Sequence, residues 1–70
     1  MKIFHTDAFI LQCFASDVRA IDNLKSIEGA QALVKTGQKH LAALLERGFS
    51  HADAFDLLNA VLTDITKGQA

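Results

Sequence analysis

Ser50, His51 and Asp53 are of the residue types that build a nucleophile–base–acid triad. The members of such triads come from separate segments that converge in space, whereas these three lie almost next to one another. At the start of a helix, a serine caps free backbone N–H groups and an aspartate compensates the helix dipole. The pattern therefore predicts a helix start, and we expect no catalytic residues and no enzymatic activity.

The histidines and the cysteine are the other candidates for site chemistry. Zinc sites place histidines at i and i+4 or cysteines a few residues apart. His5 lies eight residues from Cys13, and no other histidine or cysteine is near them. We therefore expect no metal and no cofactor. His40 is predicted to be half-exposed beside an apolar stripe, and His51 to lie near the inner face of its helix.

Length and composition favour a small domain that associates. The chain has 70 residues, a formal charge of −1 and one cysteine. A domain of this size usually needs disulfides, a metal or oligomerisation, and one cysteine excludes an intrachain disulfide. The cysteine suits a reducing cytoplasm. The longest charge-free apolar stretch is about half of the roughly 20 residues that cross a membrane, so we expect no membrane association.

Apolar residues recur at helical spacing along the whole chain, which predicts an all-α fold with one three-helix domain over residues 1–70. The predicted helices cover residues 6–25, 28–47 and 51–66. Thr6 and Ser50 are the expected N-caps of the first and third, with Ser26 or Ile27 preceding the second, and Gly48 ends the second. Gly37 lies within the apolar stripe of the second helix, where we expect it to let another helix approach closely.

The apolar faces of the second and third helices are well defined. Each face gathers seven residues that we expect to pack against neighbouring helices. They are Ala30, Leu33, Val34, Gly37, Leu41, Leu44 and Leu45 in the second helix, and Ala54, Phe55, Leu57, Leu58, Val61, Leu62 and Ile65 in the third.

The first helix carries more apolar surface than one helix contact needs. Its apolar arc spans roughly 200°, against the ~100° that one contact requires. We expect a second copy of the chain to cover the excess, giving a helical homodimer. The predicted partner interface consists of Phe4, Phe9, Ile10, Cys13, Phe14, Asp17 and Ile21.

Asp17 interrupts this apolar arc, and two interpretations remain open. In the first, the helix breaks near Ser16, and Asp17 faces water or caps a new turn. In the second, Asp17 pairs with an arginine or lysine across an interface, because an unpaired buried carboxylate is costly.

These patterns predict a protein-binding function without catalysis, as a small cytoplasmic regulator, adaptor or inhibitor of bacterial or phage type. A helix-turn-helix reader of DNA is not expected, because the would-be recognition helix has three aspartates and no basic residue before Lys67. One alternative is a dimeric nucleic-acid-associated regulator, and another is a binder of small apolar ligands. The basic surface of the first alternative would consist of Lys2, Arg19, Lys25, Lys35 and Lys39.

Overall fold

A computed structural model describes residues 2–68 and confirms the three-helix, all-α architecture. The helices are α1 (His5–Arg19), α2 (Ile27–Glu46) and α3 (His51–Gly68). Each helix packs against the other two, and the described part of the chain contains no strand. The domain measures 33 × 21 × 18 Å along its principal axes.

The helix α1 begins earlier than predicted. Its N-cap is Phe4 rather than Thr6. The carboxylate of Asp7 accepts a hydrogen bond from the Phe4 N–H at 2.9 Å, so a side chain in the first turn satisfies the free backbone donor. This hydrogen bond moves the helix start to His5.

The helix α1 also ends earlier, at Arg19 rather than at residue 25. In the turn that follows, the side chain of Asn23 accepts a hydrogen bond from the Lys25 N–H at 3.0 Å. Asparagine competes for backbone hydrogen bonds in this way and favours turns over helix. Ser26 then caps α2 by accepting from the Gly29 N–H at 2.9 Å. The predicted continuation through residue 25 is therefore wrong.

The turn between α2 and α3 matches the sequence prediction. Gly48 has a φ of 103°, its N–H donates to Leu45 O, and the Phe49 N–H donates to Leu44 O. This is the Schellman arrangement, in which a left-handed glycine closes the helix.

Ser50 caps α3 through its hydroxyl oxygen, which accepts from the Asp53 N–H at 3.1 Å. We expect Ser50→Ala to lower the free energy of unfolding by about 1 kcal/mol, the usual value of a lost N-cap. Urea denaturation monitored by circular dichroism measures the change. Ser16→Ala is the matched control, because Ser16 is an exposed serine inside α1, and it should leave stability almost unchanged. An equal effect of the two substitutions would contradict the capping role.

The core lies where the three helices meet. It is formed by aliphatic and aromatic side chains contributed by every helix. The buried members are Phe14, Ala15, Val18, Leu44, Ala54, Leu58 and Ile65.

The wide apolar arc of α1 is largely covered within one chain. The helix contacts both α2 and α3, so it has two contacts of roughly 100° each rather than one. Ile10 and Leu11 pack against the core from its edges. Phe9 is the exception, with 64% of its surface exposed. The expectation that α2 and α3 leave the excess apolar surface of α1 uncovered is therefore wrong for most of the arc.

Candidate functional site

The apolar stripe of α2 is not centred on the core. Thr36 and His40 are buried there, and His40 is only 5% exposed, whereas Val34 and Leu45 of the stripe are exposed. At about 100° per residue, the centre of the four buried residues of α2 lies about 85° from the centre of the stripe. Within the stripe, Leu44 belongs to the core and Leu33 and Leu41 pack against it, whereas Ala30, Val34 and Leu45 are exposed. The expectations of a half-exposed His40 and of a buried Val34 are both wrong.

The stripe forms one wall of a groove between α2 and α3, here called the α2–α3 groove, and the core residues Phe14 and Leu58 also line it. It has a volume of about 270 Å³ and is open to solvent on one side. None of its lining residues is charged, and only two are polar. The lining consists of Phe14, Leu33, Val34, Gly37, Gln38, Leu41, Phe55, Leu58, Asn59 and Leu62.

Phe55 forms one lip of the α2–α3 groove. The apolar pattern places it on the inner face of α3, but 59% of its surface is exposed. Val34 forms the opposite lip and is 58% exposed. Two large apolar side chains thus border the groove without being covered by the chain itself, an arrangement that is typical of binding surfaces.

Gly37 keeps the middle of the groove open. A Cβ atom built on Gly37 has no neighbour within 4 Å. The predicted close approach of another helix at this position is therefore wrong for contacts within the chain. A glycine here leaves a notch in the wall of α2, into which a side chain of an incoming helix can fit.

A polar network explains why α2 turns Thr36 and His40 inward. The Thr36 hydroxyl donates to the Asp17 carboxylate at 2.8 Å. The His40 Nδ1 lies 2.8 Å from the Thr36 carbonyl oxygen, and the His40 ring packs on Phe14 with 5.5 Å between centroids. The network joins α1 to α2 by hydrogen bonds that satisfy its buried polar groups.

The network resembles a hydroxyl–imidazole–carboxylate triad in composition only. Because a carbonyl oxygen can only accept, the short contact to Thr36 O assigns the proton to His40 Nδ1. That nitrogen cannot also take the proton of the Thr36 hydroxyl, which instead donates to Asp17. His40 Nε2 lies 3.9 Å from the carboxylate. The arrangement suits a structural link between two helices.

Asp17 follows neither predicted interpretation fully. The helix does not break near Ser16, since α1 continues to Arg19. The Asp17 side chain is exposed, and its polar partner is Thr36 of the same chain. A pairing with an arginine or lysine across an interface is therefore not needed to satisfy it.

An ion pair between the buried Asp7 and the partly exposed Arg47 joins the start of α1 to the end of α2. Asp7 is 2% exposed, and Arg47 Nε donates to its Oδ1 at 2.8 Å. The hydrogen bond from Arg47, supported by that from the Phe4 N–H, lowers the pKa of Asp7 below its ordinary value. Sequence reasoning missed the pair because 40 residues separate its members.

The structure distributes the predicted interface residues over several environments. Phe4 and Phe9 are more than half exposed, whereas Ile10 and Cys13 are partly buried and Phe14 belongs to the core. Ile21 is partly buried in the turn after α1. On the outer face of α1, Phe9 lies beside the polar residues His5, Thr6 and Gln12 and the apolar residue Ala8. An interface on α1 stays a prediction, and Phe14 has no free surface to offer it.

The remaining candidate residues lie apart from the α2–α3 groove lining. His51 is exposed rather than on the inner face of α3. Ser50 is the N-cap of α3. Within residues 2–68, no group of three or more His, Cys, Asp or Glu side chains is placed to hold a metal ion. Over the same residues, no helix combines the length and apolar character required to traverse a bilayer.

Comparison with known protein families, with curated proteins and with solved structures gives no significant match. The fold and the groove alone define the class of this chain, which is an all-α, three-helix domain with an apolar groove between its second and third helices.

Proposed function

We propose that this chain is a small protein-binding module, a regulator, adaptor or inhibitor that acts through helical contacts and without catalysis. The observation that carries the proposal is the α2–α3 groove, where Val34 and Phe55 border an uncharged, open channel. An amphipathic helix recognises such a channel by inserting apolar side chains at i, i+3, i+4 and i+7. The proposed setting is a reducing cytoplasm, which the single cysteine supports.

The dimensions of the groove favour a helix over a small ligand. Sites for small molecules enclose about 70–90% of the ligand in roughly 300–1,000 Å³. This groove is smaller, at about 270 Å³, and open along one side. A helix needs only one face covered, so an open groove can bind it well. A nucleic-acid partner would instead need the exposed residues Lys2, Arg19, Lys25, Lys35 and Lys39 to form a basic surface.

Site-specific photo-crosslinking in the producing cell tests this proposal. A benzoyl-phenylalanine residue replaces Asn59 on the wall of the groove. We expect a protein adduct of discrete mass after irradiation. The adduct should disappear when Gly37→Leu fills the groove, because the added side chain occupies the space above the notch.

The matched control places the same photoreactive residue at Gln12, which is exposed on the outer face of α1. The proposal predicts no adduct there that depends on Gly37. If position 59 gave no adduct, or gave one that survived Gly37→Leu, the groove would not be the protein-binding surface.

A further inference from the structure

We propose that the occupant of the α2–α3 groove is a second copy of this chain, docked groove to groove about a two-fold axis. This inference rests on the proposed function, and it names the partner of the same site. The inference places the dimer surface on the second and third helices rather than on the first helix.

The shape of the groove is suited to a contact between identical surfaces. In a two-fold dimer, residue i of one copy meets residue j of the other, and j meets i in return. The groove provides both parts of such a contact, since Phe55 projects from its lip and Gly37 leaves an empty notch in its wall. The Phe55 ring of each copy can therefore occupy the notch of its partner.

The spacing of exposed residues on α2 supports a helical partner. Ile27 and Val34 are exposed one heptad apart, and Leu41, one heptad further, lines the groove. Apolar residues repeated every seven positions form the seam along which two helices pack. Ala30 and Gly37, which lie three residues after Ile27 and Val34, add small residues beside the large ones.

The absence of charged residues from the groove lining also suits a contact between two identical surfaces. A two-fold contact brings the same surface of each copy together, so any charge at its centre is opposed by the same charge. The groove avoids this repulsion because none of its lining residues is charged. Its two polar residues, Gln38 and Asn59, each carry a donor and an acceptor and can pair with themselves across the axis.

The available area is compatible with a stable dimer. The helix α2 has 20 residues, which corresponds to a length of about 30 Å. Two helices side by side are about 20 Å wide. The product, on the order of 600 Å², is the whole α2–α3 side of the domain, so a dimer that buries about 800 Å² per partner needs the flanks of the groove as well as its lining.

Sedimentation equilibrium of the purified full chain tests the inference from low to high micromolar concentration. We expect the wild-type chain to dimerise. Phe55→Asp should weaken dimerisation more than about 100-fold, since the substitution removes an apolar anchor from both halves of the interface. Gly37→Leu should weaken it comparably by filling the notch, and circular dichroism verifies that both variants keep their helices.

Phe9→Asp is the matched control. Phe9 is as exposed as Phe55 but lies on the outer face of α1, so its substitution should leave the dissociation constant within about threefold of wild type. A wild-type chain that stays monomeric at high micromolar concentration overturns the inference. A dimer that tolerates Phe55→Asp and Gly37→Leu, or that only Phe9→Asp disrupts, overturns it as well.

The two proposals fail in different ways. In the crosslinking experiment, a second copy gives an adduct of twice the chain mass. An adduct of another mass that depends on Gly37, together with a monomeric purified chain, leaves the protein-binding function standing and overturns self-association. Absence of any adduct at position 59 overturns both.

Discussion

Gly29→Ala should lower the free energy of unfolding by about 2–3 kcal/mol, a large effect for the addition of one methyl group. A Cβ atom on Gly29 would overlap the backbone carbonyl of Asn23. That carbonyl accepts from the Ser26 hydroxyl at 2.8 Å, and the same hydroxyl oxygen caps the Gly29 N–H. The backbone cannot retreat without breaking the turn that joins α1 to α2.

The matched control for this substitution is Gly37→Ala, in the same helix. A Cβ on Gly37 meets no atom of its own chain within 4 Å, so the expected change, at a concentration low enough to keep the chain monomeric, is a gain of about 0.5–1 kcal/mol from better helix propensity. Urea denaturation of both variants measures the two effects. Equal changes of the same sign would show that helix propensity, rather than the contact with Asn23, decides the result at Gly29.

Acid should destabilise the fold partly through Asp7. Its hydrogen bonds with Arg47 and with the Phe4 N–H lower its pKa in the folded state. A depressed carboxylate pKa stabilises the folded state above the unfolded pKa of about 3.9, and this contribution is lost as the pH falls through the folded value. We therefore expect the stability contributed by Asp7 to be intact at neutral pH and to decline below about pH 4.

Asp7→Asn isolates this contribution. The variant should be less stable than wild type at neutral pH, because Arg47 loses its charged partner, and its stability should fall less steeply below about pH 4. Urea denaturation at a series of pH values measures both slopes. Asp56→Asn, at an exposed position of α3, is the control. An unchanged acid slope for Asp7→Asn would contradict the role of the Asp7–Arg47 pair.

The features that the sequence predicts well are local ones. The caps at Ser26 and Ser50 and the left-handed Gly48 each depend on hydrogen bonds that span a few residues. Residue types therefore indicate these features directly. The early end of α1 also has a local signal, because Asp22 and Asn23 are turn-forming residues. The apolar spacing of Ile21 and Leu24 instead favours a longer helix, and the prediction followed that spacing.

The features that the sequence predicts poorly depend on contacts between helices. Periodicity identifies the apolar stripe of α2 but not the direction in which it points, which is influenced by the hydrogen bonds of Thr36 with Asp17 and His40. Nothing local indicates that network. The exposed Val34 of that stripe borders the groove. The heptad spacing of Ile27, Val34 and Leu41 is the one sequence signal that could have indicated it.

The apolar arc of α1 illustrates a related difficulty. Counting apolar residues indicates how much surface a helix must bury, but not how many neighbours will cover it. Because α1 contacts both other helices, Phe14 and Val18 are buried within one chain. The uncovered apolar surface between helices lies along α2 and α3 instead.

The most direct test of the central claim is a concentration series of two-dimensional amide NMR spectra of the wild-type chain. If the groove binds a second copy, signals from groove residues such as Val34, Gly37 and Phe55 will shift as the concentration rises. Signals from the outer face of α1, including Phe9 and Gln12, will remain in place. Shifts confined to α1, or spectra that do not change with concentration, would contradict the account.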